Sequence, residues 1–408
     1  MRRWELIAGL SLALILRLGF TIHAYHKDEQ PTAPGTYEYE PIARGLLASG
    51  VYSDPPGGVP TARREPGYIL FVALIYKVFA AHRMYVFLAQ VLLSTITAGV
   101  LYGLTARVFS PVAARFAFWA CVFYPYFIYY TGYFFREDLL AFLLVLQLYV
   151  LVRWKGAGAA LGAGFLAGWL CLANGAWAAA CLWSAAALAW TERPGMRLRR
   201  GAAFALPLVL MIGAWAGRNW LVFREVIPFS SNVGGEIYIG MTIPYDLLGT
   251  EEQTRRLRAD ETFQAIMKLE GEIPLHKAYM AASKAYFLAN PLKFLTTMAE
   301  HSVKLWRLLP HDRAYTHSYL PVALAALGSD GWLIPLALFG LWVKRRDPWV
   351  RLFFVPVIVL VTGAFSISQA PIRYRVPLMI IVLMLAGAGF DELLRRWRKS
   401  GTGARGLE

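Results

Sequence analysis

Long apolar runs alternate with short polar joints along most of this chain, and the length of the runs is the first clue to its fold. About 20 mostly apolar residues cross a bilayer as a helix. Runs of that kind fall at Trp4 to His23 and near 84–106, 112–133, 138–153, 157–174, 175–190, 202–222, 319–343, 350–367 and 376–394. The pattern predicts an all-α polytopic membrane protein with about ten transmembrane helices. Two segments, about 25–83 and 223–318, are too long to be connectors, and loops of that size usually carry function. In the first, Ile42, Leu46 and Leu47 recur at helical spacing within Tyr37 to Ser49, while Pro66 to Phe79 is apolar and aromatic but short for a span. Both read as amphipathic helices lying along the membrane surface. The second contains a polar helical stretch, Thr250 to Leu269, and another, Leu275 to Leu309. The latter breaks at Asn290-Pro291, because proline disfavours helix at the residue before it.

These elements divide the chain into a membrane module with the first outer loop (1–222), a small outer helical cap (223–318), and C-terminal spans with a basic tail (319–408). No internal repeat is visible, which weakens an inverted-repeat transporter reading. The first run lacks a small-residue cleavage site and is interrupted by Arg17, so it reads as a retained anchor and not as a signal peptide.

Composition supports lipid as the solvent. The 408 residues are 57% apolar and only 16% charged, with 14 Trp, 21 Tyr and 24 Phe, whereas soluble domains run roughly 45–50% apolar and about 25% charged. The mean hydropathy is +0.45. Cys121, Cys171 and Cys181 lie in apolar runs with no CxxC spacing, so neither a disulfide framework nor a zinc site is expected. A net charge of +15 would suit nucleic acid, but cytoplasmic loops of membrane proteins collect Lys and Arg. With the amino end inside, every predicted inner joint is basic: Arg107 with Arg115, Arg153 with Lys155, Arg193 to Arg200, Lys344 to Arg351, and Arg395 to Arg405. Both termini are therefore expected in the cytoplasm, in the inner membrane of a cell, and no nucleic-acid partner is expected.

Charged groups on the other side need a different reason. Arg63 and Arg64, followed by Glu65 and Tyr68, start the second surface helix. Arginine presents a planar fork of donors to phosphate oxygens, although headgroup snorkelling uses the same residues. Glu38 and Glu40 flank Tyr39 at the start of the first surface helix. A carboxylate there can take the proton of an attacking hydroxyl, while acids at a helix start are also favoured by the dipole alone. Arg136, Glu137 and Asp138 begin another helix at this side, as caps or as functional groups at a membrane boundary. Arg218 and Asn219 end the seventh span, Gly234-Gly235 follows as a turn or a place of close backbone approach, and Arg373, Tyr374 and Arg375 start the last span. The outer surface thus gathers arginines and carboxylates suited to an anionic lipid and a hydroxyl. His23, His26 and His82 are too scattered to form a ligand signature, so no metal and no cofactor is expected.

The run Glu38-Tyr39-Glu40-Pro41-Ile42-Ala43-Arg44-Gly45, then Arg63-Arg64-Glu65-Pro66-Gly67-Tyr68, Gly217-Arg218-Asn219-Trp220, Ala289-Asn290-Pro291-Leu292 and Arg373-Tyr374-Arg375-Val376-Pro377 resembles the glycosyltransferase C superfamily. The likeness is to the bacterial family 39 relatives of protein O-mannosyltransferases and lipid A aminoarabinose transferase. Five pieces in order, with agreeing topology, cover nearly the whole chain. The resemblance implies a membrane enzyme with a polyprenyl-phosphate sugar as donor, two surface helices in the first outer loop, and inversion at the sugar carbon on the outer face. It also implies a catalytic acid near the start of the first surface helix. Many members carry an Asp-Glu pair a few residues before the family's tyrosine. Gly35-Thr36 stands there in this chain, so the base role passes to Glu38, with Glu40 and Asp28 behind it. Arg63 and Arg64 are expected nearest the donor phosphate, assisted by Arg218 and by Arg373 or Arg375. The sugar and the acceptor, whether glycan, lipid or protein, are left open. A lipid-linked polysaccharide polymerase or ligase fits the same residues, and a flippase of polyprenyl-linked sugars would instead place charges at mid-membrane.

Overall fold

The computed structural model describes residues 1–27, 36–191, 197–247, 250–309 and 319–403. Asp28 and Gly35 lie outside the described residues. The α-helices of those described run in the order α1 (Arg3–Lys27), α2 (Thr36–Ser49), α3 (Pro66–Phe79), α4 (Arg83–Val108), α5 (Pro111–Phe123), α6 (Pro125–Tyr129), α7 (Glu137–Arg153), α8 (Ala157–Ala173), α9 (Ala178–Thr191) and α10 (Arg197–Phe223). There follow α11 (Val233–Thr242), α12 (Glu251–Ala259), α13 (Glu261–Met267), α14 (Glu272–Ala289), α15 (Pro291–Leu305), α16 (Tyr319–Lys344), α17 (Val355–Ser366) and α18 (Met379–Gly403). The two expected surface helices are α2 and α3, and the expected break at Asn290-Pro291 separates α14 from α15.

Among the described residues five helices are long and apolar enough to cross a membrane, or six when the pair bent by 49° between α5 and the helical turns from Pro125 to Gly132 is taken as one. The remaining runs in the sequence-based set of ten are helices of 17 residues or fewer. Tyr124-Pro125 causes the bend, since proline cannot donate to the preceding turn. The carbonyls freed there are satisfied by Arg17, whose guanidinium donates to Cys121 O at 3.0 Å and Val122 O at 3.2 Å. Its Nε donates to Ser94 Oγ at 2.8 Å. An arginine that interrupts the first apolar run is therefore a clamp on a broken helix.

Packing between helices uses small residues, as expected where lipid offers no hydrophobic drive for association. On α1 the inward stripe is Glu5, Gly9, Ala13, Arg17, Thr21 and Ala24, while Trp4, Ile7, Ile15 and Ile22 face outward. Pairs α16 with α18 and α8 with α10 are in intimate contact. A Cβ on Gly340 would collide with Leu385 O, and one on Gly164 with Phe204 O. These glycines let backbones meet where any side chain would hold them apart.

The two ends of the bundle differ. At one end Met1 donates its amino group to Tyr102, Ser110 donates to Asp391 at 2.7 Å, Lys344 sits over Phe109, and Arg396 over Phe339 and Trp342. This is the end of the basic joints. The other end carries α2, α3 and the segment from α11 to α15. There, Asn219 Nδ2 donates to Ile227 O at 2.8 Å and Trp215 Nε1 to Phe229 O at 2.7 Å, turning the chain out of α10. Gly234-Gly235 is not a turn but lies in α11, where Gly234 permits close approach to Tyr279 and Met280 of α14.

Candidate active site at the helix-capped end

A non-helical strap, residues 61–65, runs into α3 and is held from several sides. Arg218 donates to Thr61 O at 2.8 Å and Tyr52 O at 3.3 Å, and its guanidinium lies over the rings of Tyr52, Trp215 and Phe223. Glu272, from the outer segment, accepts from Thr61 Oγ1 at 2.6 Å, Ala62 N at 2.7 Å and Ser231 Oγ at 2.6 Å. Ser230 Oγ donates to Arg63 O, and Tyr52 OH to Arg64 O. Fixed in this way, the strap sends consecutive arginines in different directions.

Arg64 turns inward. It bridges Glu38 at 3.1 Å and Glu236 at 3.3 Å. Burial opposes its charge, but Glu38, Tyr39 and Glu236 together keep it firmly protonated. Arg63 turns outward and pairs with Asp54 at 2.5 Å. Next along the strap, Glu65 accepts from Arg136 at 2.9 Å, and Arg136 also donates to Ala173 O, which ties α7 to α8. Tyr39 is buried among these charges, edge-on to Tyr68. Burial holds its hydroxyl well above the ordinary tyrosine value despite the nearby Arg136. Partial desolvation of a side chain still 38% exposed, then Glu65, pushes Glu236 upward against the pull of Arg64.

On the far side of Tyr39, Arg373 lies over Phe135 and over Tyr374, and its charge acts on both Glu137 and Tyr39. Glu137 is buried, and its Oε2 has no hydrogen-bond partner among the described residues; the same is true of both oxygens of Asp138 and of Arg373 Nε. The result is a compact array of Glu38, Arg64, Glu65, Arg136, Glu137, Glu236 and Arg373 around one tyrosine. Buried charges of both signs persist only when they compensate one another or await a polar partner.

Several expected site residues are elsewhere. Glu40 is occupied by Arg44 at 2.7 Å, Arg83 at 2.8 Å and Tyr76 at 2.8 Å, and it fastens α2 to α3 and α4. Arg375 is completely buried and paired with Asp330 of α16, and it also donates to Leu305 O at 2.9 Å. Tyr68 donates to Gln90 at 2.5 Å, and Gln90 in turn binds the carbonyls of Tyr130, Thr131 and Tyr133. Arg218 and Asn219 hold backbone. Glu236 and Asp330 were not singled out in the sequence: Val-Gly-Gly is a poor start for a helix, which hid α11, and a lone Asp within an apolar run gives no sign of its partner 45 residues away. Among the described residues no group of three or more His, Cys, Asp or Glu is placed to hold a metal.

This helical bundle, with surface helices and a charge array at one end, shares its fold with solved structures of low sequence identity to this chain. The oligosaccharyltransferase of Archaeoglobus fulgidus, tethered with an acceptor peptide containing the NVT sequon, has the same architecture: TM-score 0.57 at 15% identity, over 97% of this chain and 50% of that one. The archaeal oligosaccharyltransferase AglB from the same organism, in complex with an inhibitory peptide and a dolichol-phosphate, superposes with TM-score 0.56 at 15% identity, over 98% and 52%. This chain spans about half the length of those proteins, and at such identity the likeness is one of fold. ArnT from Cupriavidus metallidurans bound to undecaprenyl phosphate gives a TM-score of 0.47 at 15% identity, over 95% and 78%. No family model and no curated protein matches the sequence.

Proposed function

We propose that this chain transfers a sugar from a polyprenyl-phosphate donor to an acceptor hydroxyl, with inversion, at the end of the bundle that carries α2 and α3. The observation that carries the reading is the carboxylate of Glu38 held by Arg64 within an arginine-rich array, with an apolar groove that Pro60 and Pro66, at the two ends of the same strap, help to line. That groove has a volume of about 640 Å³, is walled by Leu46, Leu70, Leu172, Met211 and Val222, and has Arg218 on its lining. It suits an isoprenoid chain. The A. fulgidus enzyme of the same fold, seen in complex with a dolichol-phosphate, supports the donor class.

In the reaction Glu38 accepts the acceptor's proton as the hydroxyl oxygen forms its bond to the sugar carbon. The carbon–oxygen bond to phosphate breaks on the opposite side, and the arginines stabilise the charge that grows on the departing phosphate. Arg64 positions Glu38, and Arg373 with Arg136 supplies the nearest buried positive charge. A polar crevice of about 280 Å³, lined by Asp54, Arg63, Asn232, Glu272, His276 and Tyr279, admits the acceptor. It adjoins the array through Asn232, whose Nδ2 donates to Glu236 at 3.0 Å. No cofactor enters the proposal. The basic end of the bundle faces the cytoplasm, so the reaction occurs on the outer face of the inner membrane.

Glu38→Gln tests this directly. Purified protein in nanodiscs is given a panel of polyprenyl-phosphate sugars with a membrane extract as acceptor source, and released polyprenyl phosphate is measured by mass spectrometry. The wild type releases it from one donor, and the variant binds that donor without turnover. Normal turnover by Glu38→Gln removes Glu38 from the role of base.

A further inference from the structure

The end of the bundle away from Glu38 contains a cavity of about 680 Å³ between α1, α5, α16 and α18. Its walls are apolar and largely aromatic, with Phe116, Trp119 and Trp332 among them. Trp332 is 45% exposed and Phe123, further along, 55%. Its mouth is cationic. Arg115 and Arg398 line it, from the N-terminal part of α5 and the C-terminal part of α18. Among the described residues, Glu5 of α1 pairs with Arg115 at 2.5 Å. Glu5 is 6% exposed, whereas the Arg115 side chain is 61% exposed and keeps donors toward the mouth.

An apolar slot closed at one end by converging positive charge matches one kind of ligand: an amphiphile with an anionic head at the membrane boundary. Basic pockets between spanning helices recognise anionic headgroups, with about 1 kcal/mol for each Lys or Arg near the surface. We infer that this cavity binds an anionic phospholipid of the bilayer, its phosphate at Arg115 and Arg398 and an acyl chain between α5 and α16. The acyl chain reaches Tyr124, which lines the inner part of the slot and donates to Asp330 at 2.8 Å.

Two variants separate charge from volume. Arg115→Gln combined with Arg398→Gln removes the cations and leaves the slot open. Gly328→Leu fills it, since a Cβ on Gly328 points into space with nothing within 4 Å. Native mass spectrometry of the detergent-purified full chain is run with phosphatidylglycerol, phosphatidylcholine or undecaprenyl phosphate added. Phosphatidylglycerol is expected to bind the wild type tighter than phosphatidylcholine by about thirtyfold, equivalent to about 2 kcal/mol for two arginines at about 1.4 kcal/mol per tenfold. The double variant loses this preference, and Gly328→Leu loses retention of both phospholipids. Equal binding of the two phospholipids by the wild type, or a preference that survives both changes, overturns the proposal. So does undecaprenyl phosphate displacing phosphatidylglycerol from the same slot. The readout needs no turnover, so its failure leaves the Glu38 reading untouched.

Discussion

Asp330 and Arg375, both fully buried, illustrate what a single residue contributes here. Tyr124 donates to Asp330, while Arg375 donates to Asp330 and to the carbonyl of Leu305, so the charges compensate each other inside the bundle. Removing one partner of such a pair typically costs about 3–5 kcal/mol, because the other charge stays buried. Asp330→Ala is therefore expected to lower the thermal unfolding midpoint sharply in a fluorescence-detected size-exclusion melt, and Asp330→Leu with Arg375→Met to recover most of it. Adjacent arginines on the strap make the opposite point, that identical residue types diverge with their surroundings. Arg64 is held between Glu38 and Glu236, and Arg63 stands 47% exposed beside Asp54. Arg64→Ala is expected to lower kcat about a hundredfold, the loss typical of one preorganised electrostatic group. Arg63→Ala should leave kcat within about fivefold, as for an exposed ion pair, and raise KM for the acceptor. Steady-state kinetics with donor and acceptor varied in turn distinguish the two.

Helix pairs, not single helices, are the stable units of this bundle. The apolar helices α8 and α17 are shorter than a bilayer-spanning length, and α8 gains its order from close backbone contact with α10. Gly340, between α16 and α18, sets the same kind of contact against Leu385 O. Gly340→Ala must push the backbones apart, and overpacking of this kind costs typically about 1–3 kcal/mol. Gly363→Ala on α17 meets nothing within 4 Å and serves as the neutral comparison. The unfolding midpoint should fall for the first variant and hold for the second. On α3 the same logic runs outward: Tyr68, Phe71, Val72 and Tyr76 face the protein while Leu70, Leu74 and Val78 are exposed, so one helix both walls the site and offers an apolar stripe to lipid.

For the molecule as a whole, polarity of the two ends decides orientation. Basic joints gather at the end with Met1 and the end of α18, whereas the acid–arginine array lies at the other. In the proposed orientation, which the positive-inside rule favours, the array lies on the outer face. All three cysteines are buried, so an introduced cysteine can be read without background. Val59→Cys, at a position 78% exposed beside the polar crevice, is expected to react with a membrane-impermeant maleimide on intact cells. Trp397→Cys, at a position 74% exposed on α18, is expected to react only after permeabilisation. The reverse pattern would invert the protein.

Several features were legible because they depend on neighbours along the chain. Apolar length marked the helices, proline marked the break between α14 and α15, and the Lys and Arg joints marked one end of the bundle. The strap and the surface helices were equally visible as polar and aromatic clusters. Tertiary structure alone decided which member of each neighbouring pair faces the array: Glu38 and not Glu40, Arg64 and not Arg63, Arg373 and not Arg375. Adjacent side chains leave the backbone in different directions, and their fates depend on partners far away in sequence. Glu236 receives Arg64 across 172 residues, Asp330 draws Arg375 inward, and Arg83 with Tyr76 takes Glu40. Local pattern sets what a segment becomes, while long-range charge compensation under burial sets which of its side chains remain available for chemistry.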